Sequence, residues 1–278
     1  SEQYLETAKS LGTDAEVGIA DAFVLSQKGE KSSALQILSD IDSAESRTAS
    51  LMTVVHYDGT EAAIQWMSDA GYTINSLDSD GKSVLLSSQL QLGRWNDATQ
   101  SVDSLSERDF DQAPVLLRLS AVAILSTTAP LDFRGVLLSQ VPFESNGFRL
   151  ASDAVSMERR REAHDRFLLA AQVASDLNCP RAASLDDEFA LWLELRDPAQ
   201  SQYGKNRLED KLRDISTALG FVPLALSFSI DLDIAAVERE IDRNIAINGG
   251  MTVEAAVARF AIAFTKPSPE EAADYIFR

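Results

Sequence analysis

The stretch SMERRREAHDR, residues 156–166, gathers Arg159, Arg160, Arg161 and Arg166 around His164 in a chain that is otherwise acidic. Guanidinium groups beside an imidazole can hold an anion and move a proton, the ingredients of phosphate-directed chemistry. On a helix Arg160 and His164 share a face. The same helix carries Glu158 and Glu162 to pair the arginines at i,i+4 spacing, and a solvated, self-paired face is the expected reading. Arg159, Arg160 and His164 stand as a candidate anion patch.

Other reactive types fail on spacing. LDSDGKS, around Lys82, has the end of a phosphate-binding loop, but Ser76 occupies the place of the first glycine and no apolar strand precedes it. Asp78 and Asp80 before Gly81 start like a calcium loop, yet the third early ligand and the closing glutamate are missing. A helix cap is expected here, with Asp80 as the cap. Cys179 lacks a neighbouring base and is expected to be a buried or incidental thiol. With one cysteine and two histidines, neither a disulfide nor a zinc site is expected, and no cofactor motif is present. His56 reads as a turn histidine, and Trp66, Trp95 and Trp192 as packing residues.

Charge narrows the partners. Forty-three acidic against 25 basic residues give a formal charge of −18 over 278 residues, which repels phosphate backbones and anionic lipid. Neither nucleic acid nor membrane is an expected partner, and no stretch approaches the ~18 apolar residues of a spanning helix. A hydrophobic share of 45% suits a folded chain. The lone cysteine fits a reducing compartment, so the cytoplasm is expected. A start at Ser1 and a stop within ADYIFR read as the ends of a segment cut from something longer.

The elements that must position these groups are helices. AEVGIADAFVLSQ, SALQILSDI, SVLLSSQLQL and VLLRLSAVAIL all repeat apolar residues at helical spacing. LALSFSIDLDI, residues 224–234, alternates like a strand, but a lone strand has no ladder partner, so a broken helix is expected. Ser268 with Pro269 and Glu271 opens one helix, Gly249, Gly250 and Thr252 close one and open another, and Pro198 and Gly220 are expected stops. Within the first hundred residues Gly29 precedes Ala34 by five positions and Gly93 precedes Ala98 by five, while Asp58 stands five before Ala63. A corner followed by a small residue where two helices cross explains this spacing.

On those residues, positions 13–107 resemble tetratricopeptide repeats, helix-turn-helix units of about 34 residues that stack into a superhelix. The small crossing position falls on Ala34, Ala63 and Ala98; the small position of the first helix falls on Ala22, with Leu51 and Leu86 in the next two units; the late small position falls on Ala70, with Ile41 and Leu105 in the others. The crossing alanines are 29 and 35 residues apart, and Ser46, Asn75 and Phe110 stand where each unit usually closes with proline. PLDFRGVLLSQV would continue the series, with Gly135 at its crossing. The implied fold is all-α: antiparallel helix pairs stacked as a right-handed α-solenoid, with repeats over 1–142 and further hairpins over 143–278.

The resemblance also implies a function. Its concave groove would be lined by Ile19, Phe23 and Ser26, then Met52, Val55 and His56, then Ser83, Ser87 and Leu90. That mixed apolar and small polar set suits a protein or peptide partner with an apolar segment and basic flanks. The expectation is a non-catalytic interaction scaffold or sensor arm. Two alternatives accompany it. Arg159 followed by His164 resembles the short motif of the HEPN helical ribonucleases, in which the pair would handle the 2′-hydroxyl and the scissile phosphate. The other is a purely structural spacer.

Overall fold

The computed structural model describes residues 12–110, 113–126 and 155–277, and among these every regular element is helical. The chain divides into two compact units, Ser1–Ala123 and Ile124–Arg278. The expected boundary at 142/143 and the expected crossing at Gly135 lie outside the described residues.

The described residues of the first unit include three helical hairpins: α1 (Asp14–Gln27) with α2 (Lys31–Ser39), α3 (Ala44–Asp58) with α4 (Thr60–Asp69), and α5 (Ser79–Gln91) with α6 (Trp95–Asp103). They stack because α2 packs on α3 and α4 on α5, while the first helices adjoin, α1 beside α3 and α3 beside α5. At each crossing the small residue is fully buried: Ala34, Ala63 and Ala98 are all 0% exposed. A larger side chain there would push the helix axes apart. The corners of the first and third hairpins are Gly29 and Gly93, with φ of +86° and +69°. The second corner corrects the expectation. Asp58 is still helical, and Gly59 takes the positive φ of +88° as the single residue between α3 and α4, so this turn is two residues shorter than the others. Ala22, Leu51 and Leu86 are buried at matching sites, whereas Ala70 caps α4 and is exposed.

The start of α5 shows why a glycine sits inside a helix. Its cap is Asp78, not Asp80: Asp78 Oδ1 accepts from Gly81 N at 2.9 Å and from Thr48 Oγ1 of α3 at 2.8 Å. This draws α5 onto α3 so closely that a Cβ on Gly81 would collide with Thr48 Oγ1 and stand 3.0 Å from Leu77 Cβ. Gly81→Ala is expected to cost about 1–3 kcal/mol by overpacking, and Thr48→Ala in the same chain should return part of it. Denaturant titration of the single and double variants checks this, and strict additivity would show that Thr48 is not the obstacle.

A 3₁₀ turn, Glu107–Phe110, precedes α7 (Pro114–Ser126), which is buried along most of its length.

The described part of the second unit beyond α7 opens with two long helices, α8 (Met157–Asp176) and α9 (Pro180–Arg196), packed along their length around a stacked pair, Phe167 and Phe189, with ring centroids 4.8 Å apart. Helix α10 (Ser201–Leu212) packs on α9, where a Cβ on Gly204 would come within 3.2 Å of the Leu195 backbone nitrogen. Then follow α11 (Ile215–Ala218), a 3₁₀ turn (Leu219–Phe221), α12 (Val222–Ser227), α13 (Ile234–Asn248), α14 (Val253–Ala263) and α15 (Pro269–Phe277). The alternating stretch is a broken helix: α12 ends at Ser227, Ser229 takes a φ of +55°, and Asp233 caps α13. Gly249 ends α13 in the left-handed region, and Thr252 and Ser268 cap α14 and α15. Leu219, Val222, Val237, Ile241, Ala255, Ala258 and Ile262 form the core of this half of the unit. Gly220 does not stop a helix; it is buried within the 3₁₀ turn that leads into α12.

Candidate functional site

The arginine-rich stretch forms the first turns of α8, capped by Ser156. Its charges are spent within the protein. Arg159 pairs with Glu162 at 2.5 Å, Glu162 also receives Arg166 at 2.9 Å, Arg160 Nε donates to the Val155 carbonyl at 3.1 Å, and Arg161 reaches Asp197 at 3.3 Å. His164 is held from both sides, Nδ1 against Asp165 and Nε2 against Glu194, each at 2.9 Å. Burial opposes its charged form, but the hydrogen bonds to Glu194 and then Asp165 outweigh it and hold the imidazole pKa above its ordinary value. An imidazolium donating to two carboxylates has no lone pair left to act as a base.

Sequence reasoning missed the partner that organises this region. Glu194 of α9 is 2% exposed and accepts from both His164 and Arg207 of α10; Arg207 also pairs with Asp187, which holds Lys211 as well. The run thus ties three helices together. The cleft beside it, bordered by Arg160, Arg161, His164, Arg196 and Asp197, has a volume of only about 10 Å³. That is water-sized, far below the ~300 Å³ at which ligand sites begin. Arg159 does not border it. The two residues of the ribonuclease-like motif therefore address different carboxylates and do not converge on one space.

Lys82, the other phosphate candidate, is buried on α5 and paired with Asp109. Burial raises the Asp109 carboxyl, but hydrogen bonds from Lys82 and Ser106 outweigh this and hold it below the usual carboxylate range. Cys179 is exposed, which corrects the buried expectation; it precedes Pro180 at the start of α9, and its thiol donates to the Leu177 carbonyl at 3.6 Å. Trp192 is buried, Trp66 packs against the core of the second hairpin, and Trp95 lies over the Gly93 corner. Among the described residues, no three His, Cys, Asp or Glu side chains gather where they could hold a metal ion, and no helix is long and apolar enough to cross a membrane.

The nine groove residues split by burial. Phe23 (61% exposed), Met52 (49%) and His56 are open on the first helices, and Tyr57 stands edge-on to His56 with centroids 4.8 Å apart. Ile19 and Val55 are half-buried against the cores of their hairpins. Ser83 and Ser87 are half-buried and turn back to α5 carbonyls, those of Ser79 and Val84. Ser26 and Leu90 are buried and line no open face; the Ser26 carbonyl accepts from Tyr57 Oη, a bond between α1 and α3. The open part of the expected groove is therefore a patch on α1 and α3, and its third-hairpin contribution is small and polar.

A second concavity, unanticipated, lies on the other helices of the same unit. It has a volume of about 530 Å³ and is lined by α4, by residues Tyr72 to Asn75 that follow it, by α6, and by the buried Leu85 and Gln89 of α5. Comparison with protein-family models, with curated proteins and with solved structures gave no match for this chain.

Proposed function

We propose that this chain is a non-catalytic interaction scaffold, a tetratricopeptide-like right-handed stack of helix pairs whose first-helix face in the first unit receives a partner segment. The supporting observation is the open apolar pair Phe23 and Met52 on adjoining helices α1 and α3. Large apolar side chains left in water on neighbouring elements lose free energy unless something covers them. Sixteen acidic against six basic residues between positions 12 and 110 favour a partner with basic flanks. The self-paired arginines and the water-sized cleft of the second unit speak for a structural rather than a ribonuclease role there.

Photo-crosslinking groups placed at positions 23 and 52 of the full chain are expected to capture a defined partner. Phe23→Asp with Met52→Asp should abolish capture by groups placed at neighbouring surface positions, with an unchanged melting temperature. Both side chains are exposed, so loss of fold is not a competing explanation. Capture that survives both substitutions would overturn the assignment of this face, and capture of nothing would favour the spacer. RNA cleavage by the wild-type chain that disappears in a folded His164→Ala variant would overturn the non-catalytic reading altogether.

A further inference from the structure

The second concavity of the first unit is not simply space between helices. Helices α4 and α6 each pack on α5, and the gap between them is closed below by Leu85 and Gln89, one helical turn apart. Its α4 side carries Ile64 and Met67 beside Ser68, residues Tyr72 to Asn75 between α4 and α5 line it as well, and its α6 side is polar, with Gln100 and Ser101. At its base, Gln89 is only 8% exposed, and its Oε1 has no hydrogen-bond partner. A buried amide oxygen left unpaired costs about 1–3 kcal/mol, and an apolar residue of similar size would avoid that cost at no loss of helix propensity.

We propose that this groove binds an extended peptide segment of a partner protein, whose main chain pairs with the Gln89 amide. A carboxamide and a peptide group are complementary, each offering one N–H and one C=O side by side. An extended chain turns successive side chains to opposite sides, which suits a groove with Ile64 and Met67 on one side and the polar residues of α6 on the other. Asp97 is the charged residue at its border, 55% exposed and 4.0 Å from Arg94. A carboxylate there, in an acidic unit, favours a lysine or arginine on the peptide and disfavours phosphate or acidic ligands. The volume, about 530 Å³, falls within the ~300–1,000 Å³ typical of ligand sites.

The test uses the full ¹⁵N-labelled chain and a hexapeptide library blocked at both ends, with each position fixed in turn as Leu, Lys or Glu. Pools with Leu and Lys are expected to shift the Gln89 side-chain amide signals, assigned by their loss in Gln89→Met, and Glu pools to leave them unmoved. Gln89→Met should weaken the best peptide at least tenfold while its melting temperature holds or rises. N-methylation of that peptide at the paired position should weaken it similarly with the protein unaltered. No shift from any pool, equal affinity for Gln89→Met, or indifference to N-methylation would each overturn the proposal, leaving ordered water as the partner of Gln89.

Discussion

Glu194→Ala is expected to destabilise the second unit by about 3–5 kcal/mol, because it strands charges whose partner is buried. Glu194 is almost wholly enclosed and is the acceptor shared by His164 of α8 and Arg207 of α10. Without it Arg207 keeps only Asp187, which it shares with Lys211, and His164 keeps the exposed Asp165. At about 2–4 °C per kcal/mol for a domain of this size, the transition of the second unit should fall by roughly 6–20 °C. The pH profile adds a signature. The folded pKa of His164 is raised, so its contribution is complete below the ordinary imidazole value of 6.5 and is lost as pH rises through the folded value. That decline should flatten in Glu194→Ala. Glu194→Leu combined with Arg207→Met should recover stability relative to Glu194→Ala, since it removes the Arg207 charge that the single variant strands and fills the space. A loss below about 1 kcal/mol for the single variant would mean that the cluster does not hold the three helices together.

What the sequence disclosed about these elements follows from the range of the interactions involved. Caps and corners are local, so Thr252, Ser268, Gly29 and Gly93 were readable from their neighbours. The misplaced local features were those where adjacent residues compete for one role, as Asp58 does with Gly59 and Asp80 with Asp78. Ala34, Ala63 and Ala98 were readable because a crossing repeats once per hairpin and admits only a small side chain. Groove positions transferred less well. Ser26 and Leu90 are buried because they face neighbouring helices, a property of the packing and not of the repeat spacing. The Glu194 cluster and Gln89 depend on partners or gaps contributed by other helices. The available signal was acids within an apolar helix, Glu188 and Glu194 flanking FALWL, and an amide within LSSQLQL. Such residues mark either a pairing or a vacancy, and only the packed structure tells which.

Glu188 is the acid of α9 with the opposite fate, and Glu188→Gln should stabilise the chain by an amount that grows with pH. The side chain is 1% exposed and its Oε1 has no partner, so burial pushes the carboxyl pKa well above the ordinary range. In the unfolded chain the group ionises near 4.5; in the folded protein burial delays its ionisation to a higher pH. Between those two values the folded state binds the extra proton, so folding stability falls as pH rises, by about 1.4 kcal/mol per pH unit. Glutamine has nearly the same shape and no proton to lose, so this slope should vanish in the variant. The two proteins should therefore run parallel below pH 4.5 and shift in the variant's favour above it, until the pH reaches the folded value. The comparison of slopes is the informative measurement, because any fixed cost of placing an amide at this site cancels from it. Parallel unfolding free energies from pH 4 to pH 8 would show that the Glu188 carboxylate is compensated in the folded chain, whereas divergence would identify a stabilising substitution at the centre of the second unit's helix packing.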